Sequence, residues 1–298
     1  MNPSEAFQTV VAAMPDDFNI PADDYLAVRQ KMKPWHGHPL DAATSVHYTS
    51  AAGRDLAWLR SADCDRPDRV ALFCHGGGFV SCTMPEYLFF AEHISSLLNC
   101  QVVTPDYRLA PENRFPAAQN DCFEAYRSLL DSGLDPSKVF SIGDSCGGGL
   151  ALSALLIARD EGLRLPACHI GLTAWYDVQL AGDHLQSSER TEPMITKGWY
   201  ANRVRDYLGD SAVDSQYASP ARADCTGLPP LLLQVGSNDL SLDGAQRLAE
   251  QASAKGVEVE LQISNGMVHG FHGLASAGVP ESQQAWLAAR AFLDRQIA

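Results

Sequence analysis

The chain has 298 residues, 46% of them hydrophobic and 19% charged, which allows one α/β domain with a large buried core and excludes global disorder. Its 22 Lys and Arg against 36 Asp and Glu leave a net charge of −14, which argues against nucleic-acid or membrane-surface partners, since both need clustered cations. No apolar run reaches the roughly 18 residues of a membrane span, the acidic start "MNPSEAFQTVVAAMPDDF" lacks the pattern of a signal peptide, and the 8 cysteines form no C-x-x-C pair or zinc spacing, so buried free thiols in the cytoplasm are expected.

In chain order, residues 1–40 carry two expected helices, the second in "ADDYLAVRQKMK", and are read as an N-terminal cap; 41–298 form the main domain. Residues 44–60 predict a hairpin turning near Ala51-Ala52-Gly53. From residue 69 onward, strand-like runs alternate with amphipathic helices. The strands are expected at 69–76, 101–107, 138–144, 167–175, 230–237 and 257–264, and the helices near 86–98, 116–131, 147–160, 196–208, 241–255 and 281–296. Strands that read as nearly continuous apolar runs between helices imply a mostly parallel sheet covered on both faces. The stretch 176–210, a polar loop and then a helix in "TKGWYANRVRDYL", falls outside this alternation and is read as a second cap segment over the carboxyl edge of the sheet.

Two glycine-rich segments follow strands. "HGGGFV", His75 to Val80, exposes backbone N–H groups without intervening side chains, and lacks the Gly-Lys-Ser/Thr ending of a phosphate loop. "IGDSCGGG" sets Ser145 between Gly143 and Gly147 at a strand–turn–helix junction, the setting that exposes a nucleophile at a sharp elbow. Further on, Asp239 and Asp243 follow the strand 230–237, and His269 and His272 follow the strand 257–264. Each of these positions lies beyond the carboxyl end of a strand.

"HGGGF" at 75–79, "DYRLAPE" at 106–112, "GDSCGG" at 143–148, "VGSNDLSLD" at 235–243 and "GMVHGF" at 266–271 together resemble the hormone-sensitive-lipase group of α/β-hydrolases, also called bacterial family IV esterases. The resemblance runs from about residue 44 to 297. It implies an α/β-hydrolase fold, an eight-stranded and mostly parallel sheet with helices on both faces and a cap built from the N-terminal helices. It also implies the order nucleophile, acid, base, which here is Ser145, Asp239, His269. The family's patterns favour Asp239 over Asp243 and His269 over His272. The backbone N–H groups of Gly77, Gly78 and Cys146 are the expected oxyanion hole. His75 is expected to hold its loop by hydrogen bonding, and Asp106, Arg108 and Glu112 to form an ion-paired turn beside it. His36 and His38 are expected on or near the cap. Phe79, Trp35, Trp175, Tyr176 and Trp199 are candidates for the pocket wall.

Cys146 stands where the family usually has Ala. Its side chain is expected to point away from the attack site, its thiol to have the lowered pKa that a helix N-terminus can impose, and bulky thiol reagents to slow the reaction by blockage. The implied activity is hydrolysis of short-chain carboxylic esters through an acyl-enzyme on Ser145. A lactone hydrolase is the alternative, suggested by the segment "TAWYDVQLAGDHLQSSERTEPMIT". A ligand receptor on the same scaffold is disfavoured because all three triad positions are filled. The expected partner is a small-molecule ester or lactone, with no cofactor and no metal, and a homodimer through the last strand and helix is a hypothesis carried from the family.

Overall fold

The computed structural model describes residues 3–13, 24–33, 37–179, 192–193, 195–210 and 214–297. Eight strands form one sheet: β1 (Ser45–Ala51), β2 (Arg54–Arg60), β3 (Val70–Cys74), β4 (Gln101–Pro105), β5 (Val139–Asp144), β6 (His169–Leu172), β7 (Leu231–Gly236) and β8 (Val259–Ser264). Their spatial order is β1-β2-β4-β3-β5-β6-β7-β8. β2 runs antiparallel to β1 and β4, and every pairing from β4 to β8 is parallel. The helices are α1 (Glu5–Ala13), α2 (Tyr25–Met32), α3 (Met84–Leu98), α4 (Ala117–Asp131), α5 (Cys146–Asp160), α6 (Lys197–Leu208), α7 (Leu242–Ala254) and α8 (Pro280–Gln296).

The central strands are buried on both faces, which is why they read as unbroken apolar runs. In β3, Val70, Leu72 and Cys74 pack with residues of α4 and α5, while Ala71 and Phe73 pack on the opposite side with α3 and α8. β7 extends the layer against α7 through Leu231, Leu233 and Val235. This two-sided burial aligns the carboxyl ends of β3, β5, β7 and β8 along one edge, with Cys74 in register with Gly143.

β6 is shorter than the run 167–175 suggests. The chain leaves the sheet after Leu172, through Thr173 at φ 45°, and carries Ala174, Trp175 and Tyr176 over the edge. α1 and α2 pack on separate parts of that edge. Phe7 of α1 joins Met267, Val268 and Phe271 in one apolar cluster, and Ser4 donates twice to the Glu281 carboxylate, from N at 2.6 Å and from Oγ at 2.7 Å. Arg29 of α2 donates to Val80 O at 2.6 Å and forms a two-pronged pair with Glu112. Residues 180–191 and 194 of the second expected cap segment, most of the loop that suggested a lactone hydrolase, and Trp35 and His36 lie outside the described residues. No helix among the described residues is long and apolar enough to cross a membrane.

Candidate active site

Ser145 stands between the end of β5 and the start of α5 with φ 53° and ψ −128°, a conformation that a side chain rarely adopts and that costs about 1–3 kcal/mol. Packing holds it there: Ser145 N donates to Leu172 O at 2.9 Å, and Trp175 N donates to Ser145 O at 2.9 Å. The elbow demands glycine behind it. A Cβ at Gly147 would lie 2.1 Å from Cys74 O and 2.3 Å from His75 O, so any side chain there would push α5 off the sheet.

Three chain segments meet at this elbow. His269 Nε2 lies 2.8 Å from Ser145 Oγ. Its Nδ1 lies 3.2 Å from each carboxylate oxygen of Asp239. Asp239 Oδ1 accepts two further hydrogen bonds at 2.8 Å, from Ser241 N and Ser241 Oγ, which orient the carboxylate in a fully buried position. Asp243, the rival acid, lies in the first turn of α7. His272, the rival base, turns into the core. Its Nε2 lies 3.1 Å from Gln234 Oε1, its carbonyl accepts from Trp286, and burial pushes its pKa down to about 3.

His269 behaves oppositely. Burial disfavours its charged form, but the Asp239 carboxylate, through both charge and hydrogen bond, and the nearby Glu192 and Asp144 outweigh that penalty and hold its pKa up to about 9. Asp144, immediately before the serine, is itself raised by burial and accepts from Tyr87 OH at 2.9 Å. Glu192 had no signal in the sequence, because a lone carboxylate in a polar loop reads as solvated. In the fold it is buried, and its Oε2 accepts from His269 N at 2.7 Å.

The His75–Val80 loop bends beside Ser145 with Gly77 at φ +117° and Gly78 at φ +61°. Gly77 O is turned into the loop, where it accepts from Ser81 N at 3.0 Å and Ser81 Oγ at 2.7 Å. His75 is buried and stacked on Tyr107 at 4.2 Å; its Nδ1 lies 2.8 Å from Gly76 O, and its carbonyl accepts from Tyr107 OH. This is the anchoring arrangement expected of it. The "DYRLAPE" turn is held by charge, but its partners lie outside the motif. Arg108 pairs with Asp121, Glu112 with Arg29, and Asp106 accepts from Met84 N.

Cys146 departs from one expectation. Its thiol is fully buried and accepts from Phe79 N at 3.2 Å, so it lies behind the glycine loop rather than toward Ser145 Oγ, as expected. Burial, however, pushes its pKa up to about 12, the reverse of the lowering a helix N-terminus can impose.

Phe79, Trp175 and Trp199 form one aromatic wall, with Trp175 5.8 Å from each of the other two rings and 6.1 Å from His269. Tyr176 points elsewhere, its hydroxyl 2.9 Å from His169 Nε2. His38 is exposed and sits edge-on to Phe89. A cavity of about 570 Å³ lies between α2 and the start of α3, lined by Leu26, Arg29, Lys33, Cys82, Thr83 and Leu109 among others, with none of Ser145, Asp239 and His269 in its wall.

A family described by the alpha/beta hydrolase fold matches residues 71–273. An acetyl-hydrolase of Streptomyces hygroscopicus is 33% identical over 255 residues, covering 86% of this chain and 82% of that protein. The crystal structure of an esterase from the bacterial hormone-sensitive lipase family superposes with a TM-score of 0.90 at 34% identity over 100% of both chains. That of an esterase/lipase from an uncultured bacterium superposes with a TM-score of 0.89 at 32% identity over 98% of this chain and 99% of the other.

Proposed function

This chain belongs to the α/β-hydrolase family, within the hormone-sensitive-lipase group of ester hydrolases, and from that premise we propose that it cleaves short-chain carboxylic esters through an acyl-enzyme on Ser145. The observation that carries the reading is the continuous chain of contacts Ser145 Oγ–His269 Nε2 (2.8 Å) and His269 Nδ1–Asp239 (3.2 Å).

Neutral His269 takes the Ser145 proton as Oγ attacks the ester carbonyl, and Asp239 stabilises the imidazolium that forms. The tetrahedral oxyanion is received by the N–H groups of Gly77, Gly78 and Cys146; each such donor contributes about 10²–10³ in rate. His269 returns the proton to the departing alkoxide, leaving the acyl group on Ser145. Water then attacks the acyl carbonyl, giving its proton to His269. Collapse of this second intermediate releases the acid and restores the serine hydroxyl. The positions of α1 and α2 on the sheet edge support reading the N-terminal segment as a cap.

A short acyl group is supported by the aromatic wall beside His269, where Phe79, Trp175 and Trp199 are each under 7% exposed. The test is hydrolysis of p-nitrophenyl esters from acetate to decanoate, alongside simple lactones, by wild type and Ser145→Ala. Turnover peaking at short chains and falling by about 10⁴-fold or more in the variant is expected. Lactone turnover far above ester turnover would replace the ester reading with the lactone one, and an active Ser145→Ala protein would sink both.

A further inference from the structure

The His269 peptide is held on both sides. Gly270 N donates to Thr173 Oγ1 at 3.2 Å, an ordinary neutral contact. His269 N donates at 2.7 Å to Glu192 Oε2, a carboxylate left only 4% exposed. A single peptide N–H can be satisfied by a neutral oxygen or by water. A carboxylate in that place adds a negative charge that a neutral acceptor would not, and a charge-assisted hydrogen bond is the stronger anchor. The adjacent imidazole is a group whose charge changes during turnover.

Resting on the reading of Ser145, Asp239 and His269 as the triad, we propose that Glu192 is a positioning residue for the base: it anchors the His269 backbone and contributes negative charge that favours the imidazolium. Several elements supply the groups that face His269. Asp239 comes from the end of β7, Asp144 from the end of β5 and Glu192 from the loop before α6, while His272 on its own loop stays neutral because of its burial. Of the three carboxylates, Asp239 engages the imidazole Nδ1, Asp144 is bonded to Tyr87, and Glu192 is bonded to the His269 main chain. Glu192 can therefore be neutralised without touching the contacts of His269 to Ser145 and Asp239.

The test compares the pH dependence of kcat/KM for p-nitrophenyl acetate in wild type, Glu192→Gln and Glu192→Ala. Glu192→Gln keeps an oxygen that accepts from His269 N but removes the charge. It is expected to move the acid limb of the profile to lower pH by about half a unit to one unit, with a high-pH plateau within about threefold of wild type and KM unchanged. Glu192→Ala also removes the acceptor and is expected to lower kcat on the plateau by about tenfold or more, with Glu192→Gln serving as the conservative rescue. A Glu192→Gln profile superimposed on wild type overturns the proposal. The triad reading fails separately, if Ser145→Ala retains wild-type turnover.

Discussion

Two histidines three residues apart on one loop end in opposite electrostatic worlds. His269 faces the rim of the sheet, where Asp239, Glu192 and Asp144 converge and hold its pKa up to about 9. His272 faces the core beneath α8, between Gln234 and Trp286, and is pushed down to about 3 by burial. Neither residue is solvent-exposed, so burial alone does not separate them. The difference lies in whether the fold brings carboxylates to the ring. A buried imidazole surrounded by carboxylates can cycle its proton, while one surrounded by neutral groups serves packing.

Mutation gives the largest test of this contrast. His269→Ala and Asp239→Asn are each expected to lower kcat/KM by about 10⁴-fold, with the protein still folded by circular dichroism. His272→Leu is expected to leave kcat/KM within about threefold. It removes the Gln234 contact at a cost of about 1–3 kcal/mol and should lower the melting temperature by several degrees. A large rate loss in His272→Leu at unchanged stability would erase the distinction.

The pH dependence sharpens the same comparison. His169, bonded to Ser141 and Tyr176, shares the depressed pKa of about 3 that His272 has. The unfolded chain takes up protons at both residues below the ordinary 6.5, and the native state does not, so stability falls as pH drops from 6.5. His269 has the reverse sign. The native state retains a proton that the unfolded chain releases above 6.5, so its contribution is complete below 6.5 and is lost as pH rises through about 9. Calorimetry from pH 5 to 9 should show a melting-temperature maximum near pH 6.5, and a steady rise across that range would contradict it. Because His269 must be neutral to act as the proposed base, kcat/KM should increase with pH through a limb above 6.5, on the alkaline side where stability is already declining.

The smallest effect concerns Cys146. Ala supplies the same backbone N–H, and the thiol contributes only a weak acceptor to Phe79 N. Cys146→Ala should stay within about threefold of wild type in kcat/KM, and wild type should resist inactivation by bulky thiol reagents under native conditions. Rapid inactivation would mean that the elbow opens far more than its packing suggests.

Much of this was legible in the chain. Two-sided burial writes the central parallel strands as apolar runs, the turn near Gly53 marks the β1–β2 hairpin, and the eight strands and main helices lie close to their expected places. The run 167–175 is longer than β6 because Ala174 and Trp175 are as apolar as a strand yet are spent on the rim. The ion pairs of "DYRLAPE" were legible as charges but not as partnerships, since Arg108 and Glu112 reach Asp121 and Arg29. Glu192 was invisible, because its partner lies 77 positions away.

By itself, the sequence determined the sheet, the glycine elbow at Ser145 and the strand-end positions of Asp239 and His269. These follow from local periodicity and from the steric demand of a tight turn, which neighbouring residues dictate. Only the tertiary structure decided which histidine meets which carboxylate, that the Cys146 thiol is raised rather than lowered in pKa, and that Glu192 accepts from the His269 main chain. Charge and solvation act over a few ångströms of space, and the chain segments that meet there are far apart along the sequence.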